Sequence, residues 1–192
     1  MEKYRDDLRV RRTRKLLSTA LFDMMAEQDF SRISVNDVCE KAMVHRATFY
    51  NHFKDKDDLL NYTLDEIQEE LFEKSVKDSD LYSGKQTYIN LISCVIDFVM
   101  ENNDKLAKIR KNCSEKMIFS FIETMKRSIK YLINKNKVNN EYDIPLDIII
   151  NFFTGGFTMI GLNLIEDKKT YSKEELMRFC DVLLDEKIFK TK

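Results

Sequence analysis

Histidine and cysteine side chains are the usual ligands of structural metals and frequent participants in catalysis. The two histidines, His45 and His52, have no thiol or carboxylate nearby at the spacing of a metal site. The cysteines are widely separated and form no C-x-x-C pair, which argues against a zinc site and a disulfide framework. They are Cys39, Cys94, Cys113 and Cys180. Because the chain also lacks a Ser-His-Asp order and a glycine-rich phosphate loop, we expect no catalytic residue, no metal and no cofactor.

A second chemistry, anion binding, is available at the amino-terminal end. Residues 1–15 contain seven basic and three acidic residues, although the whole chain has a formal net charge of −1. Basic residues at the start of a helix oppose its dipole, so a polyanion such as the DNA backbone explains them better than a charged helix start, the alternative. The predicted phosphate contacts are Arg9, Arg11 and Arg12.

The composition indicates which elements position these residues. The 192 residues include one proline and four glycines, with 34% charged and 43% hydrophobic residues. A chain this poor in turn formers is typical of an all-α fold rather than a sandwich, a barrel or a disordered chain, and the apolar periodicity predicts about nine helices. We see no apolar run near the roughly 18 to 20 residues of a membrane span and no signal peptide. We therefore expect a cytoplasmic protein with no membrane partner.

The first 60 residues contain a long helix, two short helices and the start of a fourth. The 3.6-residue period covers about residues 8–28. Ser34 then has the position of an N-cap with Asp37 three residues later, a capping-box pattern that starts a helix of about two turns. After a break at residues 43–44, a short helix is predicted over residues 45–52, and Asp55 is a plausible N-cap for the fourth helix.

A two-turn helix, a tight turn and a second short helix with exposed polar residues are typical of a helix-turn-helix, whose second helix enters the major groove of DNA. The segment from Arg12 to Leu60, about a quarter of the chain, closely resembles the N-terminal domain of TetR-family transcriptional regulators. Its clearest match to the family signature is Thr48-Phe49-Tyr50-x-His52-Phe53-x-x-Lys56. The resemblance implies a homodimeric regulator, most often a repressor, that binds a palindromic operator in double-stranded DNA and acts at the nucleoid.

The chain departs from the family pattern at three positions. Met43 and Asp29 stand where the family usually has glycine, and His45 replaces the common serine at the N-cap of the recognition helix. Since glycine adopts a positive φ at little cost, we expect Met43 to carry left-handed backbone strain unless the turn differs.

The predicted DNA contacts divide into base-reading and phosphate-binding residues. Arg46, in the first turn of the recognition helix, is suited to bidentate hydrogen bonding with a guanine, and Thr48 offers a hydroxyl or a methyl group. The alternative is that both are ordinary solvated helix residues. The resemblance adds Asn36 and His45 as base-reading positions. It also implies phosphate contacts from Ser34, Tyr50, His52 and Lys56.

The resemblance implies a DNA-binding domain at residues 1–56 and a helical effector-binding and dimerisation domain at residues 57–192. A helix predicted over residues 144–166 has an apolar face too broad for a monomer's surface. Three glycines lie in it, and close helix packing would offset their poor helix propensity. Together with the last helix, over residues 172–188, it predicts a dimer interface, the alternative being an intramolecular core helix. The predicted dimerisation residues are Phe152, Gly156, Phe157, Ile160, Leu164, Phe179 and Leu183.

Methionine and aromatic residues on the middle helices are candidates for an effector pocket. Such stripes are more often plain core, so only the resemblance favours a pocket, and the effector it implies is a small molecule or a protein. The predicted pocket residues are Phe72, Tyr88, Ile92, Phe98, Met117, Phe121 and Met125. The alternative function is that of a co-regulator or adapter that acts mainly through protein–protein contacts.

Overall fold

The computed structural model describes residues 8–76, 84–112, 118–119, 121–127, 130, 145–166 and 171–183. Within these ranges all regular structure is helical, which confirms the all-α prediction. The helices are α1 (Leu8–Glu27), α2 (Val35–Ala42), α3 (Arg46–Tyr50), α4 (Lys56–Val76), α5 (Gly84–Glu101), α6 (Asn103–Asn112), α7 (Leu146–Glu166) and α8 (Lys173–Leu183), with a 3-10 turn at Phe30–Arg32 and helical residues at 118–119 and 121–127.

The predicted starts of α2 and α4 are confirmed. The Ser34 hydroxyl accepts a hydrogen bond from the Asp37 N–H at 3.2 Å, and the Asp37 carboxylate accepts one from the Ser34 N–H at 2.8 Å. Asp55 accepts a hydrogen bond from the Asp58 N–H at 2.8 Å. These bonds satisfy N–H groups that have no partner within a helix, so each helix begins where the sequence predicts.

The two positions that lack the family's glycine behave differently. Met43 ends α2 in the left-handed region, with φ 53° and ψ 42°, which confirms the expected strain. Asp29 has φ −59°, and its side chain accepts a hydrogen bond from the Ser31 N–H at 2.7 Å. The backbone of Asp29 is therefore outside the region that favours glycine. Its carboxylate caps the 3-10 turn.

The chain divides into two compact units. The first, which we call the head, comprises residues 1–66 and 107–114, and the second, which we call the body, comprises residues 67–106 and 115–192. The boundary in α4 lies ten residues beyond the predicted domain boundary, after residue 56, and the end of α6 also belongs to the head. The Asn112 side chain makes a contact within the head, because its Nδ2 donates to the Met25 carbonyl at 3.1 Å.

The head has a small apolar core that holds its short helices in place. Leu17, Leu21, Val38, Phe49 and Leu59 are completely buried, and they come from α1, α2, α3 and α4. A five-residue helix such as α3 is not stable by itself. The burial of Phe49 and its neighbours therefore fixes the direction in which the polar residues of α3 project.

The body has its own core, formed where α5 packs against α7 and α8. Its buried residues are Ile92, Ile96, Val99, Ile149, Ile150, Leu164, Leu176 and Cys180. Lys173 on α8 also forms an ion pair with Asp97 on α5 at 2.7 Å. Ile92, which was predicted to line an effector pocket, is buried in this core.

Helix α7 corrects one expectation. It has 21 residues and is, by length and composition alone, apolar enough to cross a membrane. The prediction that no apolar run approaches the length of a membrane span is therefore wrong. Only 24% of the most apolar 18-residue window of α7 is buried within the chain. Ile149 and Ile150 face the core of the body, whereas Ile148 is 53% exposed and Phe152 74% exposed. One apolar face of α7 therefore packs inside the body, and a second apolar face is left uncovered by the described residues.

Candidate nucleic-acid interface

The predicted base-reading residues lie together on the surface of α2, the following turn and α3. Asn36, His45 and Arg46 line one open groove of about 420 Å³, together with Met43. All three side chains are exposed, and Thr48 on α3 is partly buried. The helix-turn-helix thus collects the polar side chains that the sequence places ten residues apart in the chain.

Arg46 is oriented by a neighbour on the next turn of α3. Its guanidinium carbon lies 5.5 Å from the centre of the Tyr50 ring, and Arg46 Nη2 donates to the Tyr50 hydroxyl at 3.3 Å. A guanidinium over an aromatic ring is attracted by the electron-rich face of the ring. Tyr50 therefore restricts the rotamers of Arg46 while leaving its other N–H donors available to a partner.

His45 has the N-cap position of α3, but its side chain makes no capping hydrogen bond. His52 is partly buried, and its ring centre lies 6.3 Å from that of Phe53. Phe49 and Phe53 are buried beside each other, with ring centres 5.7 Å apart. The aromatic rings of the signature thus hold α3 in place, and the neighbouring polar residues remain at the surface.

Lys56 has a different position from the one expected of a phosphate ligand. Its Nζ donates to the carbonyl oxygens of Phe30 at 2.8 Å, Ile33 at 2.9 Å and Ser31 at 3.2 Å. Its ammonium group also lies 4.6 Å from the centre of the Phe30 ring. Since an ammonium group has three N–H donors, Lys56 has none left for a phosphate. This corrects its predicted role: Lys56 ties the start of α4 to the 3-10 turn.

The start of α2 also differs from a simple phosphate site. Hydrogen bonds from Ser34 lower the pKa of Asp37, so its carboxylate remains ionised there. An anion near the Ser34 hydroxyl would be repelled by this carboxylate. The Ser34 oxygen accepts from the Asp37 N–H, and the Asp37 carboxylate competes with any outside anion for the Ser34 hydroxyl hydrogen.

The basic residues of the amino-terminal cluster lie in the first turns of α1. The side chains of Arg9, Arg11 and Arg12 are exposed, and no acidic residue is present in the first turn of this helix. Their positive charge therefore lies at the end of α1 where the helix dipole is also positive, a combination that attracts anions.

Sequence comparison identifies the family of the head. Residues 17–63 match the model of "Bacterial regulatory proteins, tetR family". These residues of the head are thus similar to the tetR family. The helix-turn-helix, α2 and α3, lies entirely within the matched residues.

Two curated relatives and a solved structure extend this tetR-family comparison. The chain is 46% identical over 55 residues to the HTH-type transcriptional regulator YxbF of Bacillus subtilis, covering 28% of this chain and 14% of that protein. It is 31% identical over 100 residues to the dhaKLM operon transcriptional activator DhaS of Lactococcus lactis, covering 52% of this chain and 51% of DhaS. Thus the chain spans about half of one relative and a small part of the other.

The solved structure of Lin0861 from Listeria innocua has the same fold as this chain. It matches with a TM-score of 0.66 at 20% sequence identity, covering 92% of this chain and 91% of Lin0861. The fold likeness therefore includes the body as well as the tetR-family head.

The predicted dimerisation residues divide into two groups. Phe152, Gly156, Phe179 and Leu183 are exposed on α7 and α8. Leu164 is buried in the core of the body, and Phe157 and Ile160 pack against that core. Leu164 is therefore removed from the predicted dimer surface, because an apolar helix does not reveal from its sequence which face is internal. Ile148, Met159 and Val182, on the same two helices, are exposed as well.

The predicted pocket residues differ in their burial. Phe72, Phe98 and Met125 are partly buried, and Phe121 is 38% exposed. The side chain of Tyr88 and the whole of Met117 lie outside the described residues. Among the described residues, no group of three or more histidine, cysteine or acidic residues could hold a metal ion.

Some residues with clear structural roles were not singled out from the sequence. Glu66 on α4 accepts hydrogen bonds from the Ser18 hydroxyl at 3.0 Å and the Tyr62 hydroxyl at 3.3 Å, and it lies 3.6 Å from Lys15 Nζ. Two polar groups of α1, those of Ser18 and Lys15, thus join α1 to α4 through one carboxylate, while Tyr62 bonds to it from within α4. Lys15 and Glu66 are 51 positions apart in the chain, so periodicity gave no signal for this contact.

Proposed function

We propose that this chain is a tetR-family, sequence-specific DNA-binding transcriptional regulator that acts as a homodimer on a palindromic operator. The observation that carries this proposal is the exposed groove of the helix-turn-helix, where Arg46 lies beside Asn36 and His45. Arginine presents a planar fork of donors that fits the O6 and N7 atoms of guanine, and asparagine fits adenine in the same way. Regulation of this kind needs no catalytic residue, metal or cofactor.

In this proposal residues 1–56 read the DNA, and residues 57–192 bind an effector and dimerise. Arg9, Arg11 and Arg12 contact the phosphate backbone from the start of α1, and Tyr50, His52 and the Ser34 hydroxyl contact it from the helix-turn-helix. Phosphate contacts set the position of the protein on the duplex, whereas Arg46, Thr48, Asn36 and His45 select the sequence. We expect this activity in the cytoplasm, at the nucleoid.

The exposed face of α7 and α8 supports the homodimer. Phe152 is 74% exposed and Val182 is 75% exposed, and burying such side chains in a partner would be favourable. Gly155 and Gly156 are also exposed, and a Cβ atom at either position would meet nothing within 4 Å. The chain's own packing therefore does not require glycine there, whereas the close approach of a partner helix would. A second copy of α7 and α8 is the partner that completes a four-helix bundle.

Selection of bound sequences from random duplex DNA tests the proposal. The purified full chain is expected to enrich an inverted repeat whose half-sites lie one helical turn or more apart, because two heads related by a two-fold axis read two half-sites. Arg46→Ala is the matched variant and is expected to lose the enrichment. Failure of the wild-type chain to enrich any sequence would contradict the proposal.

The direction of regulation has two candidates. A regulator that covers a promoter represses transcription, and this is our first proposal. The relative DhaS is named as a transcriptional activator, which favours activation as the second. Transcription in vitro from a promoter that carries the selected site distinguishes them, because added protein lowers the transcript level in the first case and raises it in the second.

We propose that the body binds an effector through its partly buried aromatic and methionine residues. An effector weakens DNA binding only to the extent that it binds the DNA-free conformation more tightly. Candidate compounds are expected to raise the melting temperature of the wild-type chain and to release it from the selected duplex. If a protein effector acts instead, a purified partner would be needed for release, and small molecules alone would have no effect.

A further inference from the structure

Met43, between α2 and α3, combines a strained backbone with an exposed apolar side chain. Among the described residues, Met43 is the non-glycine residue with a positive φ, 53°. Glycine adopts this conformation without steric cost, and it is the usual residue after the end of a helix. The N–H groups of Met43 and Val44 donate to the carbonyls of Glu40 at 3.1 Å and Cys39 at 2.9 Å, which stabilises the turn. The Met43 side chain, in contrast, is 93% exposed and adds little packing within the described chain.

The position of Met43 indicates a role for its exposed side chain. Met43 lines the same groove as Asn36, His45 and Arg46, the residues proposed to read bases. Backbone strain maintained at such a position is a reason to look for a functional contact. Since a thioether carries no hydrogen-bond donor and no charge, it is poorly suited to a phosphate.

The apolar group that DNA presents in the major groove is the C5-methyl group of thymine. Methionine is long and flexible, so it can follow an irregular apolar surface. We infer that Met43 contacts a thymine methyl group in each operator half-site and is a specificity-determining residue of this regulator. This inference rests on the proposed function, because it requires the helix-turn-helix to bind the major groove.

The test uses the full wild-type chain and a duplex selected by that chain from random DNA. Each thymine of one half-site is replaced in turn by deoxyuracil, which removes only the methyl group, and the Kd is measured. At one position we expect wild-type binding to weaken about fourfold, which corresponds to the ~0.8 kcal/mol of one buried methyl group. Met43→Gly is expected to bind the thymine and uracil duplexes equally.

Two further variants separate side-chain chemistry from folding. Met43→Gln keeps the length of the side chain and a non-glycine residue at the strained position but replaces the apolar end, so it is also expected to lose the uracil effect. Met100→Gln alters an exposed methionine of the body and is expected to retain it. Met43→Gly relieves the strain and is expected to melt a few degrees higher than the wild type. Its weaker binding would then not come from misfolding.

The outcomes distinguish this inference from the function on which it rests. If the wild-type chain selects no sequence, the proposed function fails and the inference fails with it. If the wild-type chain selects a site but uracil affects the wild type and Met43→Gly equally at every thymine, only the role of Met43 is overturned. A selected half-site without thymine would also overturn it.

Discussion

The contact between Arg46 and Tyr50 orients, before DNA is bound, the side chain that we propose to read bases. The ring supports the guanidinium at 5.5 Å, and the hydroxyl accepts a hydrogen bond from it at 3.3 Å. A side chain that is already oriented loses less rotamer entropy when it binds. Tyr50 therefore has a positioning role besides its predicted phosphate contact.

Tyr50→Phe separates these two roles because it removes the hydroxyl and keeps the ring. If Tyr50 orients Arg46, the substitution is expected to weaken binding to the selected duplex about threefold to tenfold, as the loss of one hydrogen bond would. The effect is expected to disappear in an Arg46→Ala background, measured by a double-mutant cycle. A phosphate contact alone would give the same loss in both backgrounds.

Lys56 is expected to contribute to the stability of the head rather than to phosphate binding. Lys56→Met keeps an apolar side chain near Phe30 but removes the ammonium donor of three carbonyl groups, of which that of Phe30 keeps a bond from the Ile33 N–H. We expect the free energy of unfolding to fall by about 2 kcal/mol in urea titrations.

Lys54→Met provides the matched control for Lys56, because this lysine is exposed two residues away. It is expected to leave the unfolding free energy nearly unchanged. If Lys56→Met were as stable as the wild type and instead reduced the salt dependence of DNA binding, Lys56 would be a phosphate ligand after all.

Single residues were predictable to different degrees. The strain at Met43 followed from the missing glycine, because the turn requires a positive φ whichever residue occupies it. The bonds of Lys56 could not be predicted in the same way. They depend on a fold that brings α4 to carbonyl groups more than 20 positions earlier in the chain, and no local pattern encodes that distance.

At the scale of helices, the capping box of α2 predicts a pH dependence. Hydrogen bonds from Ser34 lower the pKa of Asp37 in the folded state. A carboxylate with a lowered pKa stabilises the fold at pH values above its unfolded pKa, near 4, and this stabilisation is lost as the pH falls through the folded pKa. Asp37→Ala is therefore expected to melt below the wild type at pH 7, and the difference should shrink as the pH falls below about 4.

Glu40→Ala is the control for this experiment, because it removes another exposed carboxylate from the same helix. Thermal melts by circular dichroism should show a smaller effect for this variant at pH 7. An undiminished difference between Asp37→Ala and the wild type at the lowest pH would show that the ionised capping box is not its cause.

Helix starts were easier to predict from the sequence than helix faces. Ser34 and Asp55 mark their helices by local chemistry, and both caps are present in the structure. The two faces of α7 could not be assigned, because Leu164 and Phe152 are both apolar but only Leu164 is buried in the chain's core. An amphipathic pattern separates core from surface only when the other face is polar.

At the scale of the whole molecule, the exposed apolar face of α7 and α8 predicts a dimer. Phe152→Glu would place a charge in the interface, and an unpaired buried charge is strongly unfavourable. We expect the wild type to sediment as a dimer of 22.9 kDa chains and Phe152→Glu to sediment as a monomer.

Leu8→Glu is the matched control for the dimer, because this leucine is 80% exposed at the start of α1. It is expected to remain dimeric in analytical ultracentrifugation. A monomeric wild type, or a Phe152→Glu variant that sediments as the wild-type dimer does, would contradict the proposed interface.

The most direct test of DNA reading is the affinity for the selected duplex and a scrambled duplex, measured by fluorescence anisotropy at several salt concentrations. We expect the wild type to prefer the selected duplex. Arg46→Ala should lose most of this preference, whereas Arg11→Ala should weaken binding to both duplexes alike and reduce the salt slope by about one. An Arg46→Ala variant that keeps the full preference, or a wild type that binds both duplexes equally, would contradict the account.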